Sequence, residues 1–471
     1  MRKKTREIHM KKVKIGFLPL YVKLYDDGAP NMRLRIDAFA KEVIELIKKR
    51  EDVEVITADV CRLEGEFKEA ITLFENEKVD SIVTLHLAYS PSLESEKVLR
   101  DTKLPIVILD TTPNFEFTDD EDNISISYNH GIHGVQDMCN LLVRNNKKFF
   151  IEVGHYLRSD VIDRVINRVK GIKIANEFQN SRVGTIGGEF DGMGDFRLPE
   201  NLYGEIGIEK VELTPNEARE YFASVSDDEI DALIADDKQK YAIAEDISKD
   251  TLRNALRGDL AVRKWIADEK LTAFTANFRT VGKDFGLSGM PFAEANRAME
   301  RGIGYAGEGD VLTSAFTGAL MSVSNEASFI EMFCPDWKNN YIFISHMGEM
   351  NTALSADKPK YMIKPMKYAD IDTTWLCGTY KEGKATLINL LPIADNRFRV
   401  IVSLVDMRVP ECDKFRGNAT CGWFEPAKSI SDFLGDYSKL GGTHHLTMMY
   451  GDARKTAETF ANVMNYEFYE I

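Results

Sequence analysis

The sequence predicts an α/β protein with two units of parallel sheet covered by helices, residues 1–180 and 181–327, followed by a mostly β unit over residues 328–471. Three observations carry this expectation. Short β-rich runs alternate with helical patterns through the first third, the signature of a parallel sheet. A strand-and-turn signal restarts near Arg182 with Arg-Val-Gly-Thr-Ile-Gly-Gly. Beyond Ser328 the helical period gives way to short β runs separated by polar turns. At 471 residues the chain exceeds one typical core, so two or three domains are the natural division.

In chain order, strands are expected at residues 13–18, 53–57, 81–85, 105–109 and 149–153, and amphipathic helices at 33–49, 64–77, 93–102, 134–144 and 160–178. Within the first of these helices Ile36, Phe39, Val43 and Ile47 recur three or four apart, with Ala40 and Ile44 widening the stripe, so one face is buried against a sheet. Tyr21, His86, Asp110 and the pair Gly154-His155 fall just past strand ends, where open α/β sheets bind ligands; a cap or turn role accounts for each equally well. The second unit carries acidic helices at 215–224, 227–237 and 247–269, a strand from Leu271, and a helix at 291–301. The third has β runs at 341–345, 385–391 and 398–404.

Sixty Lys and Arg against 75 Asp and Glu leave a net charge of −15, which disfavours nucleic acid and anionic membrane surfaces as partners and suits an enzyme of a neutral small molecule. The six cysteines, Cys61, Cys139, Cys334, Cys377, Cys412 and Cys421, are dispersed without a Cys-x-x-Cys pair, as expected of reduced thiols in a cytoplasmic protein. The basic start followed by apolar Val13 to Val22 does not read as a signal peptide, because Lys14 interrupts it and no small-residue cleavage site follows. No run approaches the ~18 apolar residues of a membrane span.

Two glycine clusters, residues 184–192 and 302–310, lack both the Gly-x-Gly-x-x-Gly context and the Gly-Lys-Ser/Thr of a phosphate loop, and are expected to form tight turns. The second lets the backbone fold closely around Glu308. With Glu331 in an apolar stretch, His346 at the end of a strand-like run, and the pair His444-His445, it supplies carboxylates and imidazoles from separate segments. Lone residues of these types are usually solvated or structural. Buried together, two carboxylates need a compensating cation, and the mixed oxygen and nitrogen set suits Mn²⁺, with Fe²⁺, Co²⁺ or Zn²⁺ also open.

Five motifs in order then resemble the L-arabinose isomerase family, within the wider L-fucose and L-arabinose isomerase-like fold. They are Thr-Ala-Phe-Thr-Ala-Asn-Phe at 272–278, Gly-Ile-Gly-Tyr-Ala-Gly-Glu-Gly-Asp at 302–310, Ser-His-Met-Gly-Glu at 345–349, Trp-Phe-Glu-Pro at 423–426 and Gly-Gly-Thr-His-His at 441–445. Fainter echoes occur at 86–91, 129–134 and 153–156. The resemblance implies two Rossmann-like α/β domains and a barrel-like β domain. It implies Mn²⁺ bound by Glu308, Glu331, His346 and His445, with His444 facing substrate, and a sugar pocket lined by Phe278, Met193 and His133. It also implies trimers or hexamers with active sites at subunit contacts. Where the family has Gly-Ser-Gln-His-Leu-Tyr-Gly near the N-terminus, this chain reads Leu-Pro-Leu-Tyr-Val-Lys-Leu-Tyr-Asp at 18–26 and keeps only Leu24-Tyr25, with Val22 in place of the glutamine. The spacing from Glu308 to Glu331 is also slightly tighter.

The activity implied is aldose–ketose isomerisation by proton transfer through a metal-bound enediolate, with Glu308 and Glu331 as acid/base pair as well as ligands. The altered N-terminal segment leaves open an isomerase or epimerase for a deoxy or branched sugar. A non-catalytic sugar-binding protein and a metal-dependent hydrolase are the alternatives from other classes.

Overall fold

The computed structural model describes residues 12–28, 30–282, 284–366, 371–410 and 414–471. Cys412 and the basic residues before Lys12 lie outside them. The chain divides into two compact units, one ending at Lys173 and one running from Ile174 to Ile471.

In the first unit, β1 (Val13–Leu20), β2 (Val53–Thr57), β3 (Ser81–His86), β4 (Ile106–Asp110) and β5 (Phe150–Val153) form an all-parallel sheet in the order β2-β1-β3-β4-β5. Helices cover such a sheet on both faces, which is why β3 is buried throughout and the central strands read as near-continuous apolar runs. The stripe on the helix Met32–Lys48 is its buried face: Ile36, Phe39, Ala40, Val43 and Ile47 are all in the core. Gly16 in β1 has a packing reason, since a Cβ there would stand 2.7 Å from the Phe74 ring of the helix Glu64–Asn76.

Strand order reverses between β1 and β3, and Tyr21 and His86 lie at their carboxyl ends. His86 is fully enclosed, and burial pushes its pKa down to about 3. A Cβ on Gly134 would sit 2.6 Å from its Cδ2, so the neutral ring is packed against the helix Gly131–Arg144. Burial likewise raises the Asp110 carboxyl.

In the second unit, β6 (Ser181–Ile186), β7 (Ile208–Leu213), the two-residue β8 (Ala242–Ile243), β9 (Ala273–Ala276) and β10 (Gly304–Gly307) precede the β-rich part. Of these, β10-β9-β6-β7 make a second parallel sheet. Residues 304–307, expected in a tight turn, are therefore a strand, and only the segment from Glu308 onward turns. The glycines serve close approach. A Cβ on Gly304 would meet the Gly318 backbone nitrogen at 2.2 Å and the Ser314 carbonyl oxygen at 2.4 Å, so this strand admits the helix Val311–Leu320 almost to backbone contact. That helix has every residue buried and thus no polar face to reveal its period in sequence.

The remaining strands are β11 (Ala327–Asp336), β12 (Tyr341–His346), β13 (Lys360–Met366), β14 (Ile371–Cys377), β15 (Gly383–Ile393), β16 (Arg397–Arg408), β17 (Thr420–Pro426), β18 (His445–Tyr450) and β19 (Glu467–Glu470). Six of them close a ring, β15-β18-β11-β12-β17-β16 and back to β15, antiparallel at every step. Closure removes free edges. Ile330, Ile344, Leu387, Val405, Phe424 and Leu446 belong to its apolar core. Outside the ring, β19 pairs with β16, while β8, β13 and β14 form a small side sheet. Among the described residues no helix is long and apolar enough to cross a membrane.

Candidate metal centre

Three strand ends and the middle of a fourth strand of the second unit meet at one place. Glu308 follows β10, Glu331 lies in β11, His346 ends β12 and His445 begins β18. Barrel register sets Glu331 directly opposite His445. Glu308 adopts a left-handed backbone (φ 64°), a conformation that costs a non-glycine residue about 1–3 kcal/mol. It is pinned there: its N–H donates to the Ala276 carbonyl at 3.0 Å, and its own carbonyl accepts from the Phe190 N–H at 2.9 Å. The flanking glycines give the room. A Cβ on Gly307 would lie 2.7 Å from His346 Cε1, and one on Gly309 (φ 88°) would lie 2.4 Å from the Glu189 Cα.

The side chains form two triads that share His445. In one, Glu308, His444 and His445 bring ligand atoms within 4.8 Å of one another; in the other, Glu331, His346 and His445 do so. Glu308 Oε2 is 3.5 Å from His445 Nε2 and 3.6 Å from His444 Nε2, and Glu331 Oε2 is 3.5 Å from His346 Nε2. Glu308 Oε2 and the Nε2 atoms of His444 and His445 are buried without hydrogen-bond partners among the described residues. Unpartnered polar atoms in a buried site are costly, and a cation held among them would satisfy all three.

Each imidazole is tethered from behind. His346 Nδ1 lies 2.6 Å from Glu349 Oε2, and Glu349 Oε1 accepts from the Tyr305 hydroxyl at 2.9 Å. His445 Nδ1 lies 3.0 Å from Asp310 Oδ2, whose Oδ1 accepts from the Thr313 N–H at 2.8 Å. His444 Nδ1 lies 2.6 Å from Asp195 Oδ2. Carboxylates on Nδ1 fix ring orientation and leave Nε2 free to ligate. Phe196 stacks on His445 at 5.3 Å with planes 7° apart, and Phe329 packs edge-on against both His346 and His445.

The electrostatics follow from this arrangement. Burial would raise the Glu308 carboxyl, but the His444 and His445 rings beside it outweigh that and hold it well below the usual carboxylate range. Burial raises Glu331, offset only in part by His346. Burial would lower His346, yet the Glu349 carboxylate pushes it up to about 9. His444 is likewise driven against burial to about 10, by Asp195, and His445 is raised by Asp310.

Of the other candidates, Phe278 is buried and faces the Phe190 ring at 5.5 Å. Met193 is half-buried in the loop that carries Asp195 and Phe196. His133 belongs to the first unit, exposed, with its Nδ1 2.8 Å from His130 Nε2 and its ring 4.7 Å from that of Tyr89. Sequence reasoning assigned no role to Asp195, Phe196, Tyr305, Asp310 or Glu349. The three-residue spacing of His346 and Glu349 was the signal available for one of them.

Comparison with known proteins agrees with this architecture. The L-arabinose isomerase central domain profile matches residues 205–326, and the C-terminal domain profile matches residues 326–467, together more than half of the chain. The chain is 22% identical to an L-arabinose isomerase of Shouchella clausii (strain KSM-K16) over 448 residues, 92% of this chain and 90% of that protein. It is 24% identical to that of Geobacillus kaustophilus (strain HTA426) over 414 residues, 83% and 81% respectively. With that of Shewanella baltica (strain OS223) it shares 25% over 383 residues, 78% and 75%. The chain belongs to the L-arabinose isomerase family, enzymes that interconvert aldoses and ketoses.

Proposed function

We propose that the protein is a divalent-metal-dependent isomerase of an L-arabinose-like sugar, with Mn²⁺ held by Glu308, Glu331, His346 and His445. The observation that carries this reading is the rearward tethering of the imidazoles. With Nδ1 of His346 and His445 committed to Glu349 and Asp310, their Nε2 atoms face Glu331 and Glu308, a donor set of mixed nitrogen and oxygen that fits Mn²⁺. A divalent cation bound there supplies Lewis-acid stabilisation for the negative charge that develops on the sugar's O1 and O2.

The protein side chains account for the proton traffic. Hydrogen must move between C1 and C2, and a C–H beside a carbonyl is a weak acid, so a base has to be held against it. Of the pair Glu308 and Glu331, one would take this proton and return it to the neighbouring carbon through an enediolate while the other carries the hydroxyl proton between O2 and O1, and positioned proton transfer is worth about 10²–10⁴-fold. Phe196 and Phe329 pack against the imidazoles of the cluster and would limit the access of water to them.

A panel of aldopentoses and aldohexoses, with deoxy and branched sugars included because residues 18–26 depart from the family pattern, is expected to show ketose formation that depends on added Mn²⁺. A product of different mass from the substrate would instead identify a hydrolase.

The reading includes a homo-oligomer, trimeric or hexameric, with active sites at subunit contacts. In its support, the first-unit helices Lys23–Gly28 and Asn123–Tyr128 bury none of their own residues and leave Leu24, Ile124 and Ile126 exposed. Light scattering on the purified protein is expected to give the mass of three or six chains. A monomeric mass at assay concentration would remove this part of the reading.

A further inference from the structure

The loop between β6 and the helix Glu200–Glu205 carries Gly187, Gly188, Gly192 and Gly194, and three of these have positive φ. Its ends are anchored: the Thr280 hydroxyl donates to the Gly187 carbonyl at 2.5 Å, and Glu189 accepts from Arg197 at 3.0 Å and from the Tyr203 hydroxyl at 3.1 Å. Between these anchors the loop delivers two side chains to the pair His444-His445. Phe196 stacks on His445, and Asp195 takes His444 twice, accepting from its backbone N–H at 3.0 Å while standing 2.6 Å from its Nδ1. His444 is the one imidazole of the cluster tethered by a residue outside the recognised motifs. Its buried Nε2 has no hydrogen-bond partner among the described residues and lies 3.6 Å from Glu308 Oε2.

We propose that Asp195 is a positioning residue that acts through His444. By fixing both the backbone and the ring, it presents Nε2 beside Glu308 as the hydrogen-bonding partner of a sugar hydroxyl. This rests on the isomerase reading above. His444 forms a triad with Glu308 and His445 but is not among the four ligands proposed above, and on that assignment Asp195 governs how sugar is gripped and leaves metal affinity alone.

The test is a double-mutant cycle on the full-length, Mn²⁺-loaded protein, using Asp195→Ala, His444→Ala and the double variant. The readouts are kcat and KM for the best sugar, calorimetric affinity for an open-chain pentitol, and Mn²⁺ stoichiometry. Each single variant is expected to lose about 10- to 100-fold in kcat/KM and in pentitol affinity, as for a hydrogen bond involving a charged group. The double variant should lose no more than His444→Ala alone, because the two residues act as one. Asp195→Asn keeps an acceptor oxygen and should recover part of the loss. Mn²⁺ stoichiometry should stay unchanged throughout.

Losses that multiply in the double variant, full activity in Asp195→Ala, or loss of Mn²⁺ from Asp195→Ala would each overturn the assignment. Wild-type protein that binds Mn²⁺ and pentitol yet converts no sugar refutes the isomerase reading, and the same cycle on pentitol affinity then decides the role of Asp195. Wild-type protein that binds no pentitol overturns both.

Discussion

Glu308→Gln and Glu331→Gln are each expected to reduce turnover by about 10²–10⁴-fold, the contribution of positioned proton transfer. The substitution is nearly isosteric, and glutamine can occupy the left-handed backbone at 308 under the same two hydrogen bonds that pin glutamate there. What it removes is the negative charge and the ability to accept a proton. Glu308 is buried and Glu331 partly so, and an amide in either place removes the charge facing Nε2 of the neighbouring imidazole while Asp310 and Glu349 remain behind the rings. Steady-state assays of variants whose bound Mn²⁺ has been quantified separate loss of chemistry from loss of metal. Near wild-type rates in Glu308→Gln with metal bound would refute its role as acid/base.

The second large effect is expected one layer behind the ligands. Asp310→Asn and Glu349→Gln should weaken Mn²⁺ binding by about 10- to 100-fold, because each carboxylate fixes the orientation of a ligating ring and raises its basicity. Glu349 is nearly fully buried and also accepts from the Tyr305 hydroxyl, so its amide variant disturbs two partners. Asp310 caps the helix Val311–Leu320 through the Thr313 N–H and holds His445 with its other oxygen. Asparagine can keep the cap, so Asp310→Asn should lose metal affinity with little loss of fold stability. Direct Mn²⁺ titration of the two variants reads this. Wild-type affinity in both would mean that the tethers do not serve a metal.

Much of the first sheet was legible because parallel strands and amphipathic helices write their periods plainly, as at Ile36, Phe39, Val43 and Ile47. The helix Val311–Leu320 was not, since a wholly buried helix shows no polar face. Residues 304–307 read as turn because glycine is usually a turn residue, whereas here it admits a helix against a strand. At the site, Glu308, Glu331, His346, His444 and His445 stood out by residue type and by motif. Their tethers did not. Asp195 reaches His444 across 249 positions and Asp310 reaches His445 across 135, contacts that only the folded chain reveals. Phe196 was illegible for the same reason: nothing in a lone phenylalanine signals a stack on a distant histidine.

Anomalous diffraction at the manganese edge, from crystals grown with Mn²⁺, tests the central claim most directly. The account predicts one ion per chain at coordinating distance from Glu308, Glu331, His346 and His445. Full Mn²⁺ occupancy elsewhere, with those four side chains unliganded, or no bound ion at saturating Mn²⁺, would contradict it.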